Sequence, residues 1–173
     1  MRIFLVGFMF SGKSTVGKLL AKSMGYEHID TDHMFESLYN ISINDFFEKY
    51  GQDLFRELEH KLLLTLIEKD NIVISTGGGL PCFHNNMELI KQNGISIHIN
   101  MSFKSIIHRQ KKSKKNRPLL RNKSQEEIEI FLQDLLAKRI DIYNQSNIII
   151  KGEDLSIKEL KEKILTLSNN FQF

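Results

Sequence analysis

The sequence lacks the features that mark secreted, membrane-spanning or disulfide-stabilised proteins. It has a single cysteine, Cys82, in 173 residues. One cysteine cannot form an internal disulfide, which is typical of proteins from a reducing compartment. No uninterrupted apolar stretch approaches the roughly 20 residues that span a bilayer, and the first residues lack a basic segment ahead of a long apolar one. We therefore expect a cytoplasmic protein with no membrane partner.

A large charge, repeats and linkers are absent as well. The formal net charge is only +3, and 41% hydrophobic with 26% charged residues is the composition of an ordinary globular protein. No repeat or linker divides the chain, so we expect one domain over residues 1–173. The six histidines show no spacing typical of metal ligands. No partner indicates that Cys82 is a nucleophile, and we expect a buried or half-buried thiol there.

What the chain does contain is an alternation of short apolar runs with segments of helical spacing. The runs predicted as strands cover residues 2–6, 26–29, 71–75, 95–99 and 147–151. The segments predicted as helices cover residues 13–25, 42–51, 52–69, 85–94, 103–112, 124–143 and a terminal segment from 156. Five apolar strands separated by helices predict an α/β protein whose parallel sheet is covered on both faces.

The stretch "GFMFSGKST" (7–15) follows the first predicted strand and opens the first predicted helix. Gly7, Gly12, Lys13 and Ser14 satisfy the phosphate-loop pattern G-x-x-x-x-G-K-[ST]. In such a loop the backbone N–H groups point at an anion, the lysine reaches the β- and γ-phosphates, and the hydroxyl is a magnesium ligand. The alternative is a glycine-rich turn with a solvated lysine, which the flanking strand and helix disfavour.

Carboxylates and glycines follow two further strands. Asp30 and Asp32 come after the second strand, and Gly77, Gly78 and Gly79 follow the third. Ligands of open α/β sheets bind where parallel strands end, so these residues are placed to meet a substrate. One carboxylate can orient magnesium through water while the other accepts a hydrogen bond from a substrate hydroxyl. The alternatives are a helix N-cap for the aspartates and an ordinary turn for the glycines.

Two arginines have partners at helical spacing. Arg56 and Glu59 lie three residues apart, so the glutamate can hold the guanidinium in a fixed pose. Arg139 and Tyr143 lie four apart on a later helix. Arginine is suited to bidentate capture of a carboxylate, which indicates a small anionic substrate bearing hydroxyls. A surface ion pair is the alternative for Arg56 and Glu59. In the neighbouring "DFFEKY" we expect wall and core residues.

Together, "GFMFSGKST", "DTD", "FRELE", "STGGG", "RPLL" and "RIDIY" resemble the shikimate kinases from about residue 3 to residue 150. The resemblance implies a three-layer αβα P-loop kinase fold with sheet order 2-3-1-4-5 and a mobile lid. The implied reaction transfers the γ-phosphoryl group of ATP to the 3-hydroxyl of shikimate, on the route to chorismate and the aromatic amino acids. The implied lid covers about residues 109–122, and the acceptor-binding region covers about residues 31–60.

The resemblance also implies roles for individual residues. The shikimate-binding residues would be Asp32, Arg56, Gly77, Gly78, Gly79 and Arg139. The ATP-binding residues would be Phe10, Ser11, Gly12, Lys13, Ser14, Thr15, Arg109 and Arg117, with Arg109 packing against adenine. Magnesium would be held by Ser14 and, through water, by Asp30. Lys13, Asp32 and Arg117 would be catalytic, with Asp32 orienting or deprotonating the hydroxyl and Arg117 arriving from the lid.

Two departures from the family pattern leave alternatives open. Phe10 stands where members usually have glycine, and its ring would either pack beside the nucleotide or cover the loop from outside. Four lysines precede Arg117, namely Lys111, Lys112, Lys114 and Lys115. They raise the alternative of a nucleotide-gated nucleic-acid-binding protein, against which stand the small net charge and the lack of interleaved aromatic residues. Another small-molecule kinase, such as a gluconate kinase, is the nearer alternative. We expect a monomer that binds ATP and shikimate and no nucleic acid.

Overall fold

All five apolar runs form strands in the computed structural model, which describes residues 1–113 and 118–170. The described strands are β1 (Arg2–Val6), β2 (Glu27–Asp30), β3 (Ile72–Ser75), β4 (Ile95–Asn100) and β5 (Ile148–Lys151). The described helices are α1 (Lys13–Met24), α2 (Thr31–Tyr39), α3 (Ile43–Leu66), α4 (Asn86–Asn93), α5 (Phe103–Lys112), α6 (Gln125–Tyr143) and α7 (Ile157–Asn170). Short 3-10 turns cover Leu80–Cys82 and Pro118–Leu120.

The described strands form one parallel sheet in the order β2-β3-β1-β4-β5, which confirms the predicted order. Strand β1 lies at the centre, where Ile3 pairs with Val73 of β3 on one side and with Ile95 of β4 on the other. Because all connections are crossovers between parallel strands, the carboxyl ends of the strands meet at one edge of the sheet.

Alternate residues of each strand enter different cores. Ile3 and Leu5 pack on one face, against residues of α1 and α7 that include Leu20 and Ile164. Phe4 and Val6 pack on the other face, in the cluster that contains residues of α3 and α4. The period of two in β1 therefore buries both faces of the sheet, as its uniformly apolar composition predicted. Helices cover both faces of the sheet, as expected.

The helix starts follow the predicted caps, with one addition. Ser42, Ser124 and Ser156 accept hydrogen bonds from backbone N–H groups three residues on, and Ser124 forms a complete capping box with Glu127. Helix α2 was not predicted as a helix, because it begins at Thr31 with no connecting residue after β2. Its start immediately after the strand holds its first turn at the edge of the sheet where the site lies.

The long α3 is two helices joined at a kink. Gly51 has φ 81° and ψ 171°, which is non-helical and favours glycine. The predicted stop at Gly51 is therefore confirmed, although the backbone resumes the helix at once. Among the described residues, none of the helices is long and apolar enough to cross a membrane.

Candidate functional site

The phosphate-loop sequence forms a tight loop between β1 and α1. Gly7 has φ 143° and Gly12 has φ 97°, and a Cβ at Gly7 would lie 2.9 Å from the carbonyl oxygen of Ile99. Lys13 begins α1 with its side chain buried in the loop, where Nζ donates to the carbonyl oxygens of Gly7 at 2.8 Å and Phe8 at 2.9 Å. A cation, a helix N-terminus and inward backbone groups thus meet at one point, as anion binding requires.

Asp30 links this loop to α2. One oxygen of its carboxylate accepts a hydrogen bond from the Ser14 hydroxyl. The other oxygen accepts from the backbone N–H groups of Asp32 at 3.1 Å and His33 at 3.4 Å, so Asp30 is also the N-cap of α2. The cap alternative is therefore correct for Asp30, and the same side chain still contacts the phosphate loop.

The oxygen groups of Ser14 and Asp30 suit a hard cation such as magnesium. No cluster of three or more histidine, cysteine, aspartate or glutamate side chains is arranged to hold a metal within residues 1–113 and 118–170. Magnesium does not need such a cluster, because it is usually bound through one or two side chains, water and the phosphates of the nucleotide. The hydroxyl and the carboxylate beside the phosphate loop therefore fit this ion.

Two cavities meet at the carboxyl ends of β1, β2 and β3. The larger, of about 350 Å³, lies between α2, α3 and the glycine segment, and the smaller, of about 290 Å³, surrounds the phosphate loop. The residues that line both cavities are Met9, Ser14, Asp30, Asp32 and Gly78. Because both cavities are lined by Asp32, molecules bound in the two cavities would lie next to each other at this residue.

Arg56 and Glu59 form a buried ion pair at the floor of the larger cavity. Arg56 Nη1 lies 2.5 Å from Glu59 Oε2, and the side chains are only 8% and 4% exposed. The surface-pair alternative is therefore wrong. Arg139 is buried as well and lines the same cavity. The Nε atom of Arg56 is buried and has no hydrogen-bond partner among the described residues, which leaves a donor for an anion.

Burial and the ion pair with Arg56 have opposite effects on the pKa of the Glu59 carboxyl. Burial is the largest influence and raises the pKa of the Glu59 carboxyl to about 7 from its ordinary 4.5. The Arg56 charge opposes this rise, and the Asp32 charge adds to it. Burial therefore favours the neutral carboxyl of Glu59, while the paired guanidinium of Arg56 favours the charged one.

The glycine segment is shaped by the charged groups beside it. A Cβ at Gly77 would lie 2.6 Å from Asp32 Oδ1 and 2.7 Å from Glu59 Oε1, and a Cβ at Gly79 would lie 2.5 Å from a guanidinium nitrogen of Arg56. The carbonyl oxygen of Gly78 accepts a hydrogen bond of 2.5 Å from the Tyr143 hydroxyl. Gly77 and Gly79 are therefore not part of an ordinary turn, because side chains there would displace the acidic and basic groups of the cavity.

Arg109 of α5 lies against the phosphate loop. Its Nη1 donates to the carbonyl oxygen of Ser11 at 3.0 Å and to that of Phe10 at 3.3 Å. The hydroxyl of Ser11 is buried without a hydrogen-bond partner in the described part of the chain, and Thr15 lines the smaller cavity. The contact of Arg109 with adenine stays a prediction. Arg117, Lys114 and Lys115 lie outside the described residues.

Phe10 occupies a left-handed backbone conformation, with φ 65°. Such a φ is unfavourable for a residue with a Cβ and easy for glycine, which is a physical reason for a glycine at this position. The half-buried ring packs against the cluster that contains Ile106 and Ile107 of α5 and also borders the smaller cavity. Both interpretations of the ring, covering the loop from outside and packing beside the nucleotide, therefore stay predictions.

Sequence reasoning missed part of the cavity wall. The additional lining residues are Met9, His33, Glu36, Ile43, Asn44 and Leu119. In the Phe-rich stretch, Phe46 is in a buried aromatic cluster and Phe47 lines the cavity, so the expected division into core and wall is confirmed. Met9 belongs to the phosphate loop and Leu119 to the second 3-10 turn, while the others depend on how α2 packs against α3, which no local pattern predicts.

Cys82 is a half-buried thiol, as expected. Burial raises the pKa of this thiol, which disfavours the thiolate that a nucleophile requires. Cys82 is therefore a structural residue beside the glycine segment and not a nucleophile.

A comparison with known protein families gives one clear match. A family model described as "Shikimate kinase" matches residues 9–168. Among curated proteins, the chain is 39% identical over 165 residues to a shikimate kinase of Azobacteroides pseudotrichonymphae, covering 95% of this chain and 97% of the relative.

Solved structures agree with the sequence matches. A shikimate kinase from Bacteroides thetaiotaomicron superposes with a TM-score of 0.89 at 34% identity and covers 98% of each chain. A shikimate kinase from Acinetobacter baumannii, solved in complex with shikimate, superposes with a TM-score of 0.86 at 35% identity and covers 99% of this chain and 95% of that one. The predicted P-loop kinase fold is thereby confirmed.

Proposed function

The chain belongs to the shikimate kinase family, and from this premise we propose how its residues transfer the γ-phosphoryl group of ATP to the 3-hydroxyl of shikimate. The acceptor occupies the larger cavity, and the phosphates of ATP occupy the smaller one. The family match favours this reaction over a gluconate kinase.

The acceptor is held by charge at one end and by hydrogen bonds at the other. Arg56 and Arg139 bind the carboxylate of shikimate, because both guanidinium groups are buried in the larger cavity. Asp32 accepts the hydrogen bond of the reacting hydroxyl, since it lines both cavities. Gly77, Gly78 and Gly79 let the ring of the acceptor approach the backbone.

The nucleotide is held by the phosphate loop. Lys13 exchanges the carbonyl oxygens of Gly7 and Phe8 for the β- and γ-phosphates, which it neutralises as negative charge moves toward the leaving oxygen. Ser14 and Asp30 hold magnesium, which supplies further neutralisation of the phosphates when bound. Phosphoryl transfer needs little covalent chemistry from the protein, so positioning and charge account for most of the catalysis.

Two roles extend to residues at the edge of the nucleotide cavity. Arg109 contacts the nucleotide from the loop side, and Ser11, Gly12 and Thr15 line the phosphates. Arg117 reaches the transferring phosphoryl group from a lid of about residues 109–122, whose closure excludes water from the reaction.

The single observation that carries this assignment is the pair of buried guanidinium groups beside Asp32. A buried arginine with a vacant donor is costly unless an anion completes its hydrogen bonds, and a small hydroxylated carboxylate fits next to a carboxylate base.

The protein acts in the cytoplasm as a monomer that binds these small molecules and no nucleic acid.

A coupled assay of ADP release across possible acceptors tests the proposal. We expect shikimate to support turnover, whereas gluconate and nucleoside monophosphates support none. Quinate, which keeps the carboxylate and several hydroxyls, shows how strictly the ring is recognised. In Arg139→Ala, ADP release with shikimate should fall, because a buried charge contact costs about 2–5 kcal/mol when truncated. The KM for ATP should stay within about threefold. ADP release that gluconate supports equally well would refute the acceptor assignment.

A further inference from the structure

The guanidinium group of Arg56 lies over two aromatic rings, those of Phe83 and Phe55. The ring of Phe83 lies 4.5 Å from the guanidinium carbon, and the ring of Phe55 lies 5.0 Å from it. Glu59 pairs with one nitrogen of the group, and a Cβ built at Gly79 would lie 2.5 Å from another. The guanidinium carbon thus lies within cation–π distance of both rings, while Nε is buried with no hydrogen-bond partner among the described residues.

Phe55 and Phe83 reach Arg56 from different parts of the fold. Phe55 precedes Arg56 on α3 and is buried in the aromatic cluster with Phe35 and Phe46, so its position is set by that core. Phe83 comes from the segment that follows the glycines and is half-buried. Phe83 is thus a side-chain contact between Arg56 and the segment that follows the glycines.

Asn86 fixes the segment that carries Phe83. Its side-chain nitrogen donates to the carbonyl oxygen of Leu80 at 2.8 Å, and its backbone N–H donates to the carbonyl oxygen of Phe83 at 2.9 Å. The side-chain oxygen of Asn86 lies 2.6 Å from Nδ1 of His60, one helical turn beyond Arg56 on α3. The 3-10 turn Leu80–Cys82 is thereby closed at both ends and tied to the helix that carries the arginine.

From this arrangement we propose that Phe83 is a positioning residue, which holds the plane of the Arg56 guanidinium in the orientation that binds the acceptor's carboxylate. The inference rests on the proposed role of Arg56 in binding that carboxylate. A cation is attracted to the face of an aromatic ring, and the attraction grows where water is excluded. A planar group that is stacked on one side can rotate only in its own plane, so its donors stay directed at the acceptor.

The consequence is a selective effect on the acceptor. Removal of the ring leaves the positive charge in the cavity but releases its orientation, so the KM for shikimate should rise. Turnover at saturating acceptor and the KM for ATP should change little, because Phe83 does not line the cavity around the phosphate loop.

The first experiment compares Phe83→Leu, Phe83→Tyr and Phe131→Leu in the full chain. Phe83→Leu should raise the KM for shikimate about 3- to 30-fold, the range of a partly desolvated cation–π contact. Phe83→Tyr keeps the ring and should restore the KM to within about twofold of the unsubstituted protein. Phe131→Leu is the matched control, because Phe131 is also half-buried but stacks with the exposed Lys123 instead of Arg56.

A double-mutant cycle separates this inference from the proposed function. The values of kcat/KM for shikimate are measured for Phe83→Leu, Arg56→Ala and the double variant. If Phe83 acts through Arg56, Phe83→Leu should lower kcat/KM less than about twofold in the Arg56→Ala background. An equal decrease in both backgrounds, or a failure of Phe83→Tyr to restore the KM, would overturn the role of Phe83.

Two further outcomes have distinct meanings. If Arg56→Ala leaves kcat/KM for shikimate unchanged, the proposed function of Arg56 is wrong, and the inference about Phe83 fails with it. If Phe83→Leu does not fold, Phe83→Met supplies a flexible apolar side chain of similar length, and the same cycle is measured with that variant. A Phe83→Met protein with unchanged KM for shikimate would also refute the inference.

Discussion

The acceptor half and the phosphate half of the site hold their cations in different ways. In the acceptor half, Arg56 and Arg139 are buried, and Arg56 is already paired with Glu59. In the phosphate half, Lys13 is buried but binds backbone carbonyl oxygens, whereas Lys111 and Lys112 of α5 are exposed. In the acceptor half Arg56 is therefore held by a charged side chain, whereas in the phosphate half Lys13 is held by the loop backbone.

This difference determines which kinetic constant each half should control. Buried and paired arginines present a fixed surface, so their loss should weaken the acceptor before any chemistry occurs. A lysine that must leave its carbonyl partners for phosphates contributes most when charge moves in the transition state. Substitutions in the two halves should therefore separate into effects on acceptor binding and effects on turnover.

Lys13→Met tests the phosphate half and should give the largest effect. We expect kcat to fall at least about 10³-fold, because a neutral side chain cannot neutralise the β- and γ-phosphates during transfer. Steady-state ADP release measures this, with circular dichroism as the check on folding. Lys18→Met is the matched control, since Lys18 is exposed on the same helix, and it should keep normal turnover. A folded Lys13→Met protein with near-normal kcat would contradict the phosphate-loop assignment.

Arg56→Ala tests the acceptor half. Loss of a charged donor to a buried carboxylate should weaken shikimate binding by about 2–5 kcal/mol, partly because the bound anion stays desolvated. Calorimetric titrations with shikimate and with ATP should show a loss for the acceptor alone. Glu57→Ala, an exposed neighbour on α3, should leave both affinities unchanged. Equal losses of shikimate and ATP affinity in Arg56→Ala would show that the two halves are not separate.

Local signals predicted the sheet and the phosphate loop, while the acceptor wall needed tertiary packing. The spacing from Gly7 to Ser14 is a local pattern with one known geometry, and the apolar strands have a period that fixes which face they bury. The pairing of Arg56 with Glu59 was predicted from spacing, but its burial was not. Burial depends on α2 and the glycine segment, which close over the pair from distant parts of the chain.

Other features could not be read from the sequence for specific reasons. Helix α2 was missed because the N-cap Asp30 is also the last residue of β2, so no loop separates strand from helix. The left-handed conformation of Phe10 was hidden, since a phenylalanine gives no signal for a positive φ. The stacking of Phe83 on Arg56 joins residues 27 positions apart and follows from no local pattern.

His98 is a buried histidine whose protonation should affect the stability of the fold. It is only 2% exposed in β4, its Nδ1 lies 3.1 Å from Asn144 Oδ1, and its ring lies 5.4 Å from that of Tyr143 at the end of the Arg139 helix. Burial lowers the pKa of His98 to about 4 from its ordinary 6.5; the hydrogen bond to Asn144 opposes this shift, and the Lys13 charge adds to it.

The sign of the resulting pH dependence follows from the lowered pKa. Between pH 6.5 and pH 4 the unfolded chain binds a proton at His98 that the folded protein does not bind, so stability is lost as the pH falls. From pH 7 to pH 5 the free energy of unfolding should drop by about 1–2 kcal/mol more than in His98→Phe. Urea denaturation at both pH values measures this difference. His98→Gln, which does not titrate either, should flatten the dependence equally, and a steep dependence in both variants would exclude His98 as its source.

Phe10→Gly should give the smallest effect and decides how the phosphate loop is supported. Glycine removes the cost of a left-handed φ, about 1–2 kcal/mol, but also removes the packing of a half-buried ring, of similar size, so stability should change by less than about 1 kcal/mol. Arg109 contacts the carbonyl oxygen of Phe10, which the substitution keeps. We therefore expect kcat and the KM for ATP to stay within about threefold, while amide exchange of the loop accelerates because glycine is less restricted.

Phe10→Asn, which tolerates a positive φ with less backbone freedom, should exchange more slowly than Phe10→Gly. A rise in the KM for ATP of about tenfold or more in both variants would instead mean that the ring contacts the nucleotide, since such a shift corresponds to about 1.4 kcal/mol of lost binding.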